Sequence, residues 1–167
     1  QLIYKAGMKL RIVVGKSFLF HQLQSIEINP KDLAAKKKEF CKGIKSLAEN
    51  RISELAYENG RTKDINVSFE DADIQLPSEY FISVITEIVE NAMLYSPKRS
   101  GIRIVGGIDG DQYIVTVRDE GLGMTPEQIS KIGAYQKFQE DLEGKSGVGL
   151  GLINTKKVMD LFNGSLL

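Results

Sequence analysis

The sequence predicts an α+β fold, and three patterns within its 167 residues support that prediction. Apolar residues recur at helical spacing over long stretches near the amino terminus. Residues 78–95 show the same spacing in one strongly amphipathic segment. Residues 102–108 and 113–118 are rich in β-branched and aromatic residues and flank Asp109-Gly110, which is typical of a β-hairpin.

The remaining elements follow from the same kind of pattern. Asn29-Pro30 interrupts the helical spacing, so we expect a boundary between residues 1–29 and residues 30–167. The stretch from Gly133 to Ser146 is polar and weakly patterned, which favours a loop. The other predicted elements are helices over Leu2–Gln24, Asp32–Asn59, Ser78–Tyr95 and Gly151–Leu161, strands over Ile65–Phe69 and Ala72–Leu76, and helix-ending glycines at Gly60 and Gly164.

The composition is that of an ordinary globular protein and excludes several classes of partner. Lys and Arg together number 22, as do Asp and Glu, so the formal net charge of zero gives no general affinity for nucleic acid or acidic membranes. No apolar run approaches the roughly 20 residues of a membrane span, and no signal peptide is visible. Cys41 is the only cysteine, which fits a reducing compartment, and we expect a cytoplasmic location. Because the chain stops mid-pattern after Gly164, we expect it to be part of a longer protein.

Glu87 and Asn91 form the first candidate site, on the helix predicted for residues 78–95. They are four positions apart, so both side chains lie on one face of that helix. An amide oxygen is a suitable ligand for Mg²⁺, and a carboxylate can hold a metal-bound water or act as a base. The alternative is an ordinary solvated face, which is the more frequent meaning of such a pair. The side expected to face the core carries Phe81, Val84, Ile85, Ile88, Val89 and Ala92.

Two glycine-containing motifs follow this helix. Asp119 comes directly after the predicted strand, and its carboxylate can accept a hydrogen bond from an exocyclic amine such as that of adenine. Gly121 and Gly123 let the chain turn sharply and approach a flat ring, although a simple tight turn is the commoner meaning of this pattern. Further along, alternating glycines lead into a helix whose amino-terminal N–H groups suit an anion, with a flexible hinge as the alternative.

With these motifs in this order, the chain resembles the ATP-binding catalytic domain of sensor histidine kinases. Such kinases belong to the wider GHKL superfamily of ATPases, together with type II topoisomerases, heat-shock chaperones and mismatch-repair ATPases. The resemblance covers about Ile65 to the end of the chain. It matches Glu87–Pro97 to the family's asparagine box, Asp119–Met124 to its first glycine box, Phe138 to its phenylalanine box and Gly147–Leu152 to its second glycine box.

The resemblance implies a fold, a ligand and roles for individual residues. The fold would be a two-layer sandwich, the Bergerat ATP-binding fold, in which helices cover one face of a mixed sheet, preceded by a helical segment from a dimerisation hairpin. Asn91 would coordinate Mg²⁺ with help from Glu87, and Asp119 would bind the adenine amine of ATP. The other residues expected to contact the nucleotide are Tyr95, Lys98, Gly121, Gly123, Phe138, Lys145, Gly147, Gly149, Gly151 and Leu152.

The resemblance also implies an activity and partners. The domain would present the γ-phosphoryl group of Mg-ATP to a histidine on a dimerisation domain that is only partly present here, with Glu87 and Asn91 as catalytic residues. The full-length protein would form a homodimer through its dimerisation helices and would act with the receiver domain of a response regulator. No contact of this segment with nucleic acid or with a membrane is expected.

Three features depart from the pattern of the kinases. The family usually ends with two further strands after the Gly-Ser turn, whereas this chain stops at Leu167, so we expect its last strands to be missing. Leu94 stands where a basic residue is common, so either a phosphate contact is missing or Lys98 or Lys145 replaces it. This keeps open a degenerate nucleotide-binding module without transfer activity, beside another ATPase or a serine kinase of the superfamily. His21 is the only histidine, and we interpret it as a helix residue rather than the phosphoacceptor. The stretch before Asn29-Pro30 matches the end of the second helix of the hairpin, whereas the family's acceptor lies on the first.

Overall fold

The computed structural model describes residues 2–130 and 150–167, which belong to two compact units. One unit consists of residues 35–124, and the other of residues 1–34 and 125–167. The predicted loop between Gly133 and Ser146 lies outside the described residues. In chain order the elements are α1 (Leu2–Ile28), α2 (Pro30–Lys36), α3 (Ile44–Glu58), β1 (Ile65–Phe69), α4 (Ser78–Tyr95), β2 (Ile102–Asp109), β3 (Gln112–Arg118), α5 (Pro126–Ser130) and α6 (Gly151–Leu161).

The sheet of the 35–124 unit is mixed, as expected. Its described strands lie in the order β1-β2-β3, with β1 parallel to β2 and β2 antiparallel to β3. Parallel neighbours cannot be joined by a tight turn, because the chain must first return to the same end of the sheet. The helix α4 lies between β1 and β2 in the sequence and makes this return, which places it on one face of the sheet.

Helices cover one face of this sheet, while the other face is exposed. Along β1 and β2, Phe69, Ile102 and Ile104 are buried, whereas the intervening Asn66 and Arg103 are exposed. This alternation follows the two-residue period of a strand and assigns one face to the core. The predicted two-layer arrangement is therefore confirmed. The helical layer contributes the buried residues Ile44, Ala48, Ile52, Leu55 and Ala56 from α3, and Tyr80, Phe81, Val84, Ile85, Val89, Ala92 and Met93 from α4.

A glycine is required at position 106 in the middle of β2. A Cβ atom built on Gly106 would lie 2.3 Å from the Phe69 ring and 2.7 Å from the Tyr113 hydroxyl oxygen. The Tyr113 hydroxyl in turn donates a 2.6 Å hydrogen bond to the Glu70 carbonyl oxygen, so it cannot move away freely. The two aromatic side chains thus fill the space that any larger residue would need.

The prediction of one helix from Asp32 to Asn59 is wrong. The helix α2 ends at Lys36, and α3 begins at Ile44. Gly43, just before α3, has a φ of 62°, which lies in the left-handed region that favours glycine. Between the two helices Cys41 forms an isolated antiparallel bridge with Ile74, with N···O distances of 2.9 and 3.0 Å. This long-range pairing outweighs the local helical pattern, and it is also all that remains of the strand predicted over residues 72–76.

Other boundaries differ from the prediction by a few residues. The helix α1 continues to Ile28, and Asn29 then caps α2 by accepting a hydrogen bond from the Lys31 N–H through its side chain. Gly60 follows α3 with a φ of 65°, as predicted for a cap. After α6, however, Asn163 adopts the left-handed conformation that we expected of Gly164. The β2–β3 hairpin turns on residues 110–111, because Asp109 pairs with Gln112.

The second unit is built on the packing of α6 against α1. Leu23 from α1 and Val158 from α6 are fully buried. The Asn154 side-chain amide donates a 2.9 Å hydrogen bond to the Lys16 carbonyl oxygen, and Lys157 forms an ion pair with Glu27. No helix within residues 2–130 and 150–167 is both long and apolar enough to span a lipid bilayer.

Replacing Gly106 by alanine should lower the free energy of unfolding by about 1–3 kcal/mol, because the added methyl group overpacks the Phe69 and Tyr113 contact. The matched control is Gly107→Ala in the same strand, whose Cβ would meet only the Glu70 carboxylate at 3.6 Å. We expect this control to change stability by no more than about 0.5 kcal/mol. Urea unfolding of both variants measures the difference, and equal midpoints would contradict the packing described here.

Candidate functional site

The first motif lies on α4, whose beginning is defined by charge as well as by pattern. Pro77 precedes the helix, and Glu79 lies in its first turn. A negative charge there interacts favourably with the positive end of the helix dipole. Lys36 binds Glu79 with an Nζ–Oε1 distance of 2.8 Å. This hydrogen bond lowers the pKa of the Glu79 carboxyl below its ordinary value.

The structure separates the environments of Glu87 and Asn91. Glu87 is buried, with 5% of its surface exposed, whereas Asn91 is half-buried. The alternative of an ordinary solvated face therefore does not hold for Glu87. Of the residues predicted to face the core, only Ile88 is half-buried rather than buried. The remaining ones, Phe81, Val84, Ile85, Val89 and Ala92, are all buried as predicted.

The second motif follows β3 and is brought to the end of α4 by the sheet topology. Because β3 is antiparallel to β2, its last residue, Arg118, lies opposite Arg103 near the start of β2. The start of β2 is also where the loop from α4 enters the sheet. Asp119 is exposed there, and its Oδ1 atom accepts a 2.7 Å hydrogen bond from the Gly121 N–H. This bond closes a tight turn and orients the carboxylate.

The two motifs meet through backbone atoms. A Cβ atom on Gly121 would lie 2.9 Å from the Tyr95 carbonyl oxygen and 2.5 Å from Asp119 Oδ1. Glycine is thus the residue that lets the turn rest directly on the last residue of α4. Gly123 favours glycine for a different reason: its φ of 65° is in the left-handed region, which residues with a side chain rarely adopt.

Arg61 holds the end of α4, a role that no motif of the sequence predicted. Only 3% of Arg61 is exposed. Its Nη1 atom donates to the Met93 carbonyl oxygen at 2.9 Å, and its Nη2 atom donates to Ser96 Oγ at 3.1 Å and to the Pro97 carbonyl oxygen at 3.0 Å. The last carbonyl groups of a helix lack partners within the helix, so these bonds satisfy groups that would otherwise need water.

Asp64 completes this cluster. Its carboxylate forms an ion pair with Arg61 and accepts a 3.1 Å hydrogen bond from the Arg99 N–H. Its carbonyl oxygen accepts a 2.8 Å hydrogen bond from the Ile102 N–H at the start of β2. The pair therefore connects the segment after α3, the end of α4 and the first residue of β2. In the sequence, only the three-residue spacing of two opposite charges pointed to it, and such pairs are usually exposed.

Asp119 also lines a shallow groove of about 330 Å³. Neither Glu87 nor Asn91 belongs to the groove lining. The described residues therefore link Asp119 to the first motif through Gly121 and Tyr95 rather than through a shared cavity. The groove is lined by Asp64, Asn66, Gly101, Ile102, Arg103, Arg118, Asp119 and Glu120.

The other predicted contact residues are only partly described. Tyr95 is 43% exposed, and Lys98 is exposed on the loop that Arg61 holds. Gly151 and Leu152 are half-buried in the first turn of α6, within the other unit. Phe138, Lys145, Gly147 and Gly149 lie outside the described residues.

The donors on α4 suit the metal that the family implies. Within the described residues no group of three His, Cys, Asp or Glu side chains could enclose an ion. Instead α4 offers one amide and one carboxylate, both hard oxygen donors, at Asn91 and Glu87. Mg²⁺ commonly takes only one or two protein ligands and completes its shell with water and phosphate oxygens. A small donor set of this kind therefore fits a Mg²⁺ ion bound together with a nucleotide.

A mixed sheet covered by helices, with an Asp-x-Gly turn resting on an asparagine-bearing helix, agrees with the ATPase fold expected from the motifs. The sequence model of the family described as histidine kinase-, DNA gyrase B-, and HSP90-like ATPase matches residues 78–167. This segment is more than half of the chain, and the chain belongs to this family.

The relatives that the chain matches in part include a histidine kinase and a sensor protein. It is 32% identical over 85 residues to the methanogenesis regulatory histidine kinase FilI of Methanothrix harundinacea, covering 49% of this chain and 9% of that protein. It is 27% identical over 111 residues to the alginate biosynthesis sensor protein KinB of Pseudomonas aeruginosa, covering 64% of this chain and 18% of that protein. The chain thus spans less than a fifth of the length of either relative.

Solved structures show the same fold. The mycobacterial sensor histidine kinase MprB superposes with a TM-score of 0.64 at 17% identity, covering 77% of this chain and 82% of that one. The Acinetobacter baumannii histidine kinase AdeS superposes with a TM-score of 0.66 at 14% identity, covering 96% of this chain and 74% of that one. These structures confirm the predicted fold, and the family match confirms the predicted ATPase superfamily.

The burial pattern of α4 makes a stability prediction that separates site from core. Asn91→Ala should change the free energy of unfolding by less than about 1 kcal/mol, because Asn91 is half-buried and alanine suits a helix. Ile85→Ala, at a site that is 1% exposed, should cost about 2–5 kcal/mol. Thermal unfolding of both variants is the measurement. An equally large loss for Asn91→Ala would show that its side chain supports the fold instead.

Proposed function

We propose that this chain binds Mg-ATP and that, within a longer protein, it transfers the γ-phosphoryl group to a histidine of a dimerisation domain. The observation that carries the proposal is the seating of the Asp119–Gly121 turn on the carbonyl end of α4. This contact joins the first glycine box to the asparagine box through atoms that only glycine allows to approach. A histidine kinase domain needs both motifs on one nucleotide.

Asp119 supplies base recognition in this proposal. Its Oδ1 atom is held by the Gly121 N–H, and its Oδ2 atom makes no hydrogen bond within the described part of the chain. An acceptor oriented in this way suits the exocyclic amine of adenine. Guanine carries a carbonyl oxygen at the matching ring position, which would face the carboxylate without a donor between them.

The phosphate end relies on α4 and on the loop that follows it. Asn91 and Glu87 would hold Mg²⁺, which when bound neutralises charge on the phosphate oxygens. Lys98 provides an exposed cation on the loop after α4. The roles of Phe138, Lys145, Gly147, Gly149, Gly151 and Leu152 at the phosphate end remain predictions from the sequence.

Phosphoryl transfer would then depend on positioning and on charge rather than on covalent chemistry by this domain. A homodimer would present the histidine, and the exposed side chains of α1 support such pairing. Leu10, Val14 and Phe18 are 63%, 58% and 71% exposed and recur every four residues, so they form one apolar stripe. A receiver domain of a response regulator would accept the phosphoryl group, and the cytoplasm would house these partners.

A second candidate function is a degenerate module that binds nucleotide without transfer. Half-buried Leu94 favours it, because the kinases commonly carry a basic residue at this position. A third is a different ATPase or a serine kinase of the superfamily. Radiolabelled ATP, incubated with the chain in the presence and absence of an acceptor hairpin, distinguishes histidine phosphorylation from hydrolysis and from binding alone.

The chain should bind Mg-ATP more tightly than Mg-GTP, and Asp119→Asn should weaken ATP binding and narrow that preference. An unmatched carboxylate costs about 1–3 kcal/mol, which corresponds to about 5- to 150-fold in affinity. Isothermal titration calorimetry measures both nucleotides. The matched control is Asp111→Asn, an exposed carboxylate in the hairpin turn at the opposite end of β3, which should leave both affinities unchanged. Equal binding of ATP and GTP by the unmodified chain would overturn the role given to Asp119.

The isolated chain should bind ATP but form little acid-labile phosphohistidine. His21 is exposed on α1, where its ring meets the Phe20 ring edge-on at a centroid distance of 5.8 Å. The neighbouring residue is Gln22, which cannot act as the base that a nucleophilic histidine requires. Mass spectrometry after incubation with Mg-ATP tests this. His21→Gln should keep full nucleotide affinity, whereas stoichiometric phosphate on His21 would make it the acceptor.

A further inference from the structure

We propose that Arg61 is a positioning residue for the nucleotide site, acting with Asp64 through the end of α4. The inference rests on the proposed binding of ATP. Arg61 does not belong to any of the motifs and is not expected to touch nucleotide. Its guanidinium determines where the Tyr95 carbonyl lies, and that carbonyl is the surface on which the Asp119–Gly121 turn rests.

The end of α4 lacks a left-handed cap and is held by a partner from another part of the chain. The C-cap residue, Ser96, is extended with a φ of −89° and a ψ of 147°, so no left-handed residue closes the helix as glycine commonly does. The Ser96 hydroxyl donates to the Ala92 carbonyl oxygen at 2.6 Å and accepts from Arg61 Nη2. Arg61 thus takes the place of a glycine cap, and it does so from a different part of the chain.

The contacts of Arg61 lie on both sides of Tyr95. Nη1 binds the carbonyl two residues earlier, at Met93, and Nη2 binds the Ser96 hydroxyl and the Pro97 carbonyl just after it. Tyr95 is therefore held at both flanks while its own carbonyl oxygen faces Gly121. A shift of this carbonyl would move the turn whose N–H group orients Asp119.

Asp64 supports the Asp119–Gly121 turn through a second set of contacts, at the start of β2. Its carbonyl oxygen holds the Ile102 N–H, and the adjacent Arg103 pairs with Arg118, the residue before Asp119. The Arg61–Asp64 pair therefore fixes both supports of Asp119: the helix end beneath Gly121 and the strand beside Arg118. A buried charge is costly unless its hydrogen bonds are satisfied, and here the charge is paired and bound to backbone oxygens.

The geometry requires arginine rather than a positive charge in general. The guanidinium donates from Nε to Asp64 and from two further nitrogens to several oxygens around the helix end. Lysine has three donors on a single nitrogen and cannot span this set. Arg61→Lys keeps the positive charge but removes the branched set of N–H donors, so it tests the hydrogen-bond geometry rather than the charge. Arg61→Met removes both the charge and the donors.

Arg51 provides the matched control. It also lies on the α3 side of the unit, and its Nε atom donates to Thr86 Oγ1 in the middle of α4 at 3.0 Å. It also pairs with Glu54 at 3.2 Å. Arg51→Met therefore removes an arginine contact to the same helix without touching its end. A general loosening of α3 from α4 would affect both sites, whereas loss of the support for Tyr95 would affect only Arg61 variants.

The experiment uses the full 167-residue chain and begins with urea unfolding of each variant. Calorimetry with Mg-ATP and Mg-GTP follows under conditions where more than about 99% of each variant is folded. At that population, instability alone lowers the apparent affinity by about 1%. We expect Arg61→Lys and Arg61→Met to lose ATP affinity by at least about tenfold and to narrow the preference for ATP over GTP, and Arg51→Met to retain both.

Each outcome has a definite meaning. The inference would be overturned if Arg61→Lys kept the ATP affinity and the preference for ATP over GTP of the unmodified chain. It would also be overturned if Arg51→Met lost as much ATP affinity as the Arg61 variants. If neither Arg61 variant folds, Asp64→Asn decides, because it keeps the guanidinium and weakens its pair. It must then lower ATP affinity while Arg51→Met does not, or the inference fails. An unmodified chain that binds neither nucleotide would refute the proposed function itself, a result that the Arg61 variants cannot imitate.

Discussion

The buried guanidinium of Arg61 holds the end of α4, and much of the 35–124 unit depends on this contact. The helix crosses between two parallel strands, so its carboxyl end must turn into β2 within a few residues. Arg61 binds the carbonyl groups at that turn, and Asp64 binds the loop and the first N–H of β2. Breaking a buried pair by removing one partner commonly costs about 3–5 kcal/mol, because the other charge is left without compensation.

The local spacing of apolar residues was sufficient to predict the elements that bury only one face. The helix α4 buries one face against the sheet, and its boundaries at Ser78 and Tyr95 were predicted from that periodicity. The helix predicted from Asp32 to Asn59 was wrong for a physical reason: Cys41 pairs with Ile74, a residue 33 positions later. A pairing between distant segments leaves no trace in the local spacing of apolar residues.

At the candidate site, too, the sequence predicted some features, whereas others depend on contacts between distant segments. The motif residues were identifiable because glycine and asparagine at those spacings have few other purposes together. The burial of Glu87 and the contact of Gly121 with Tyr95 could not be predicted, since both depend on which elements become neighbours. Arg61 was missed because arginine is usually exposed, and nothing adjacent to it in sequence marks it as buried. The family match covers the motifs but leaves this buried pair outside its boundaries at residues 78–167.

The two-residue turn at Gly110-Asp111 determines where Asp119 lies. Arg118 lies opposite Arg103 only because the two-residue turn sets the alignment of β3 on β2. Strand side chains alternate between faces, so a one-residue shift of this register would exchange the inward and outward positions of β3. Asp119 would then leave its place at the end of α4, although the turn lies about 26 Å away along the strand. The length of the turn at the far end of the hairpin is thus one of the conditions that place Asp119 beside the end of α4.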